Sequence, residues 1–202
     1  MQIYASIKYQ VASILTFLQN WYIYEMNPEY YKTIANSTAH RKSRDDNKNF
    51  VFQNPESLKD LFEISFNTKD KNHHKACWIL ELILEERLEL LIPFQEEFCA
   101  ALTHYTSPSA IRSLSKICLF LSKSKKITLT ETQEEKITEA CLDWLIQTDK
   151  AANAAYSMRA LYNLGKKYSW INEELKLILS REFENQTPGY RFAVKDLLKR
   201  LR

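Results

Sequence analysis

The sequence predicts an all-α fold, a right-handed superhelix of about four stacked helix pairs behind an N-terminal cap. Three observations predict it. The first is a repeated apolar stripe. Ala76/Ile79/Leu80/Ile83, Leu114/Ile117/Cys118/Leu121, Met158/Leu161/Tyr162/Gly165 and Val194/Leu197/Leu198/Leu201 each place apolar or small residues at i, i+3, i+4, i+7, one face of a helix. Each copy follows a helix with apolar residues at i, i+4, i+7, i+8: Phe94/Phe98/Ala101/Leu102, Ile137/Cys141/Trp144/Leu145 and Ile171/Leu175/Ile178/Leu179, with Leu58/Phe62/Ser65/Phe66 as a weaker first member. Helix pairs recurring every 34 to 44 residues are the signature of a solenoid, in which no unit buries its apolar face alone and stacking makes one continuous core. The second observation is the near absence of glycine: Gly165 and Gly189 are the only two, which leaves almost no positions for the φ > 0 turns of hairpins or for phosphate-cradling loops. The third is the placing of the five prolines. Asn27-Pro28, Asn54-Pro55, Ser107-Pro108 and Thr187-Pro188 put a capping side chain before a residue with no N–H to lose, and Pro93 marks another helix start without a cap.

From the N-terminus, residues 1–25 are expected to form a helical cap, or an extension upstream of a start at Met26, in preference to an interfacial membrane helix, for which lysine and arginine are too scarce, with the repeat domain running from 26 to 202. The apolar stretch Tyr9–Tyr24 is interrupted by Gln10, Gln19 and Asn20 and is short for a bilayer crossing. It also lacks the basic start and small-residue cleavage site of a signal peptide. Residues 29–53 are polar, with Arg41, Lys42, Arg44, Asp45, Asp46 and Lys48 in one run, as suits an end unit protecting the first stacked pair. Two-helix units are expected at roughly 55–86, 93–123, 131–168 and 171–201, with Ser122–Thr130 the longest and most basic linker.

Charge is unevenly spread along a chain of net charge +3. Residues 51–106 hold five basic and ten acidic side chains, 107–126 five basic and none acidic, and 151 to the end ten basic and five acidic. A superhelix acidic in its first half and basic toward its C-terminus follows. Cys77, Cys99, Cys118 and Cys141 form no C-x-x-C pair. Two of them fall in apolar stripes, so reduced structural thiols and a cytoplasmic setting are expected.

The segments His73-His74-Lys75-Ala76-Cys77-Trp78-Ile79-Leu80-Glu81, Ser109-Ala110-Ile111-Arg112-Ser113-Leu114-Ser115-Lys116-Ile117-Cys118 and Ala155-Tyr156-Ser157-Met158-Arg159-Ala160-Leu161-Tyr162-Asn163-Leu164 resemble HEAT-like repeats. With Trp170-Ile171-Asn172-Glu173-Glu174-Leu175 and Gln186-Thr187-Pro188-Gly189-Tyr190-Arg191, they are similar to a group of short bacterial HEAT-like proteins of unknown function, over about residues 26–202. Members of that group often carry the label adenylosuccinate lyase. The S-S-x-M-P-x-K-x-N loop of the lyase superfamily has no counterpart here, and with it goes any candidate for a catalytic serine. The resemblance implies a solenoid and transfers no site.

Catalytic chemistry finds no foothold in the residues themselves. His73 and His74 are adjacent, so on a helix they point about 100° apart and cannot share a metal. His40 and His104 stand without ligand spacing, no serine sits in a strained turn motif, and Glu85-Glu86 and Glu96-Glu97 read as solvated faces. No cofactor, metal or enzymatic activity is expected. The informative surface lies opposite the buried stripe on the second helix of each unit, expected to line the concave side. It comprises His74/Trp78/Glu81/Glu85, Arg112/Lys116/Leu119/Lys123, Tyr156/Ala160/Asn163/Lys167 and Phe192/Asp196/Lys199. Among these, His74, Trp78, Arg112, Lys116, Tyr156, Asn163 and Lys167 are the candidate partner-binding residues, because Trp, Tyr and Arg dominate binding hot spots. Trp78 reads either as an anchor or as a side chain packed by a neighbouring helix, and Arg112 and Lys116 either as contacts or as partners of acids on adjacent units. Trp144, within a stripe, reads as core.

The expected function is a non-enzymatic scaffold for a protein or peptide. The alternative is a nucleic-acid-binding or repair protein of the alkylpurine DNA glycosylase type, with Arg112, Lys116, Lys123, Lys167 and Lys199 meeting phosphates. Glu81 and Glu85 on the same face argue against a phosphate backbone. A membrane partner is not expected.

Overall fold

The computed structural model describes residues 26–147, 151–181 and 187–201. The expectation of a cap or extension at 1–25 lies outside the described residues. These hold ten α-helices and no strand: α1 Pro28–Asn36, α2 Arg41–Gln53, α3 Ser57–Phe66, α4 His73–Glu86, α5 Gln95–Ala101, α6 Pro108–Lys123, α7 Glu131–Gln147, α8 Ala151–Leu164, α9 Ser169–Ser180 and α10 Pro188–Arg200. Even-numbered helices pack in one row, α2 on α4, α4 on α6, α6 on α8 and α8 on α10, and α1, α3, α5 and α7 stack in a second. The molecule is an all-α solenoid, and its polar first segment forms a helix pair of its own, α1 and α2.

Helix starts follow the proline logic in part. Asn27 Oδ1 accepts the backbone N–H groups of Glu29 and Tyr30 at 3.0 and 3.2 Å, and Thr187 Oγ1 accepts that of Tyr190 at 3.4 Å; each satisfies an N–H with no partner in the first turn. Ser107 precedes Pro108 but makes no capping bond. Asn54 does not cap α3 either, since its Nδ2 donates back to Phe50 O at 2.9 Å and so closes α2. Pro93 lies inside a 3-10 segment, Leu88–Phe94, which precedes the short α5; a second, Leu102–His104, follows it. The expected first helix of that unit is therefore present from Gln95, two residues after Pro93, but it is short and has a 3-10 segment at each end.

The apolar stripes make the core. Ala76, Ile79, Leu80 and Ile83 are buried, as are Leu114, Ile117, Cys118 and Leu121, then Met158, Leu161 and Gly165, and Val194 with Leu197. Burial of each large side chain stabilises by about 1.5–3 kcal/mol. Leu198, expected to be buried, is half-buried with Leu201, because no described helix packs on the far side of α10. Trp144 is 3% exposed, which makes it core. All four cysteines are buried and free, and burial drives the Cys77 and Cys118 thiols well above the usual range.

Adjacent units are joined by polar contacts one repeat apart. Tyr105 Oη donates to Ser65 O at 2.6 Å, Tyr31 Oη to the Asp70 carboxylate at 2.9 Å, and Gln95 Nε2 to Gln133 Oε1 at 2.6 Å. Lys48 pairs with Glu86, and Lys75 Nζ donates to Ala35 O. The chain thus repeats its register in hydrogen bonds as well as in apolar periodicity.

Candidate partner-binding face

Along α4, His74, Trp78, Glu81 and Glu85 fall at i, i+4, i+7 and i+11, a single stripe directed toward α6. That helix answers with Ser109, Arg112, Ser113 and Lys116 at i, i+3, i+4 and i+7. Three rungs join the two helices at an almost constant separation in sequence. Trp78 Nε1–H donates to Ser109 Oγ at 2.9 Å. Glu81 accepts from Arg112 Nη1 at 3.0 Å, Ser113 Oγ at 2.7 Å and Lys116 Nζ at 3.0 Å. Lys116 also pairs with the Glu85 carboxylate at 3.0 Å.

Glu81 was expected to point outward, and the structure corrects this: it is 1% exposed. Its position borders the arc facing α6, and the long side chains of Arg112 and Lys116 close over it. Leu119 and Ala160, also expected outward, are buried at 6% and 0%. An interior even helix meets its paired odd helix and an even neighbour on each side, so the arc left to solvent is narrower than the one opposite its stripe. Burial tends to lower the pKa of Lys116, but hydrogen bonds to Glu85 and Glu81 more than offset it, and the ammonium is held above its ordinary value.

The seven candidate residues are therefore not equivalent in setting. His74 is half-buried with its ring edge-on to Trp78, centroids 5.0 Å apart; burial first, then the nearby His73 and Lys75, holds its pKa below the ordinary value. Trp78 is half-buried across the α4–α6 seam. The Arg112 side chain is 40% exposed while that of Lys116 is 16% exposed. Tyr156 is half-buried on α8, and Asn163 Nδ2 donates to Ser122 Oγ of α6 at 3.1 Å. Lys167 lies beyond the end of α8 and turns toward α7, where its ammonium and the Tyr168 hydroxyl both donate to Glu134 Oε2 at 2.6 Å.

Sequence reasoning missed a concavity on the even row. Between α6, α8 and α10 lies a cleft of about 510 Å³ walled by Lys123, Arg159, Tyr162, Lys166, Asp196 and Arg200. Its wall along α8 and the turn that follows, Arg159/Tyr162/Asn163/Lys166, is itself a stripe at i, i+3, i+4, i+7, one step round from the buried Met158/Leu161/Gly165. That polar stripe and the basic excess of the C-terminal half were the available signals. On the odd side, a cleft of about 820 Å³ between α7 and α9 is lined by Glu131, Glu135, Glu139, Leu142 and Trp170 among others.

Among the described residues no group of three or more His, Cys, Asp or Glu side chains is placed to hold a metal ion, and no helix is long and apolar enough to cross a membrane. A family model described as a HEAT repeat domain matches residues 31–201. No curated protein and no solved structure matches the chain.

Proposed function

This chain belongs to the HEAT repeat family, and on that premise we propose that it is a non-enzymatic scaffold holding a protein or peptide along its even-numbered helices. HEAT repeat proteins are generally protein-interaction scaffolds. The observation that carries the reading is the even row itself. Five helices stand side by side, and the row is stiffened by the rungs from Trp78, Glu81 and Glu85 and opened by the cleft at α6, α8 and α10. A surface ordered before the partner arrives loses little conformational entropy on binding. On this reading the even row is the concave side. His74, Trp78 and Tyr156 supply aromatic contact area, Arg112, Lys116 and Asn163 hold neighbouring helices in register while bordering the face, and Lys167 marks its edge.

The nucleic-acid reading has less support. Glu81 and Glu85 together neutralise the two cations that would lead a phosphate track across α6, and Glu86 is exposed beside them. The test is site-specific photo-crosslinking in the cells that make the protein. A photoreactive phenylalanine analogue at Tyr162, in the even-row cleft, is compared with one at Trp170, which is 54% exposed on the odd side. A discrete protein adduct from position 162 and none from 170 is the expected result. Adducts from 170 alone, or equally from both, would overturn the assignment of the face.

A further inference from the structure

Elsewhere on the molecule, several cations that bridge neighbouring helices are matched by carboxylates, while the half-buried Lys75 meets only the Ala35 carbonyl. Lys48 pairs with Glu86, Arg112 and Lys116 with Glu81, and Lys167 with Glu134. The cleft between α6, α8 and α10 instead gathers several unpaired cations around one concavity. Four of its wall residues are cationic, Lys123, Arg159, Lys166 and Arg200, against one carboxylate, Asp196. Asp196 is engaged with Arg200 at 3.1 Å. Lys166 rests its ammonium 5.1 Å over the Tyr162 ring, and neither it, Lys123 nor Arg159 forms an ion pair among the described residues. Three like charges in one concavity repel one another and focus a positive potential outward, so an entering anion relieves repulsion as well as adding attraction.

Resting on the scaffold reading above, we propose that this cleft is the specificity pocket of the even row and takes a carboxylate-rich segment of a partner protein. Arg159 supplies the planar fork that matches a carboxylate with two parallel hydrogen bonds. Lys123 and Lys166 are point charges at the two sides, and Tyr162 offers a flat apolar wall for the intervening methylenes. The volume of about 510 Å³ lies within the range of compact ligand sites, about 300–1,000 Å³, and suits a short stretch of side chains. A nucleic acid fits less well. Duplex DNA carries a charge about every 1.7 Å of axis and needs a long positive track, whereas toward α4 the next concavity sets Glu85, Glu86 and Glu89 against Lys123 and Lys126 and so interrupts the positive charge.

The purified protein is titrated against a fluorescein-labelled twelve-residue peptide alternating Glu and Ala, read by anisotropy, with a Gln/Ala peptide and a twelve-nucleotide single strand as comparisons. The Glu peptide is expected to bind with an affinity that falls as salt rises, and the Gln peptide not to bind. Arg159→Glu and, independently, Lys166→Glu are each expected to weaken binding about tenfold or more, the scale of one close charge pair. Lys176→Glu, exposed on α9, is expected to leave it unchanged. Thermal unfolding of every variant separates lost binding from lost fold, and Lys166 is exposed, so its reversal tests the pocket even if Arg159→Glu misfolds. No binding of the Glu peptide, binding unaffected by both reversals, or tighter binding of the oligonucleotide would overturn the proposal. Those outcomes leave a crosslink from Tyr162 standing, whereas a crosslink confined to Trp170 removes the scaffold face itself.

Discussion

Glu81→Ala removes the one buried carboxylate on the α4–α6 seam, and the surroundings set how much that costs. Arg112, with a side chain 40% exposed, turns back to water, a loss on the scale of a surface pair, about 0–1 kcal/mol. Lys116 keeps the Glu85 carboxylate at 3.0 Å, so its charge is not stranded. Ser113 is 0% exposed and loses the acceptor its hydroxyl reaches at 2.7 Å, which costs about 1–3 kcal/mol. The total is about 1–4 kcal/mol, mostly below the roughly 3–5 kcal/mol of a fully buried pair broken on one side, because one cation can rehydrate and the other has a second partner. Urea unfolding measures it as a lower midpoint at unchanged slope. Ser113→Ala with Glu81→Ala should cost less than the two single changes added together, since the double variant leaves no orphaned hydroxyl. A Glu81→Ala loss below about 1 kcal/mol, the scale of an ordinary substitution, or strict additivity of the pair, would refute the seam as a stiffening element.

Gly165 and His74 give further tests. A Cβ on Gly165 would run into the Asn172 carboxamide of α9, which must turn aside, so Gly165→Ala should destabilise by about 1 kcal/mol or less. Asn172→Ala should largely restore it at little cost of its own, because Asn172 Oδ1 has no hydrogen-bond partner among the described residues; paired thermal melts check both. For His74, whose pKa is held below the ordinary 6.5 by burial and then by His73 and Lys75, the unfolded chain takes up the proton first as pH falls. Its contribution is therefore complete above about pH 6.5 and declines as pH drops toward the folded value. An NMR titration should place the His74 midpoint below 6.5, and His74→Gln should flatten the stability slope between pH 7 and 5; an unshifted midpoint would contradict the packing against Trp78.

What the sequence alone determined is what one helix carries by itself. Ala76/Ile79/Leu80/Ile83 and Leu114/Ile117/Cys118/Leu121 could be assigned to the core because 3.6-residue periodicity is local, and the repetition of such stripes implied stacking without reference to any contact. Local chemistry also placed the caps at Asn27 and Thr187. Asn54 was harder to place, because a capping residue before a proline suits both the end of one helix and the start of the next. Which outward positions meet solvent was decided by tertiary structure. Glu81, Leu119 and Ala160 lie opposite their own stripes yet are buried, and Lys167 turns to α7, because the exposed arc of a stacked helix depends on how its neighbours lie against it. The cleft at Lys123, Arg159 and Lys166 came from the same source: its walls lie on three helices whose spacing and angle are properties of the stack, and no periodicity within one helix encodes them.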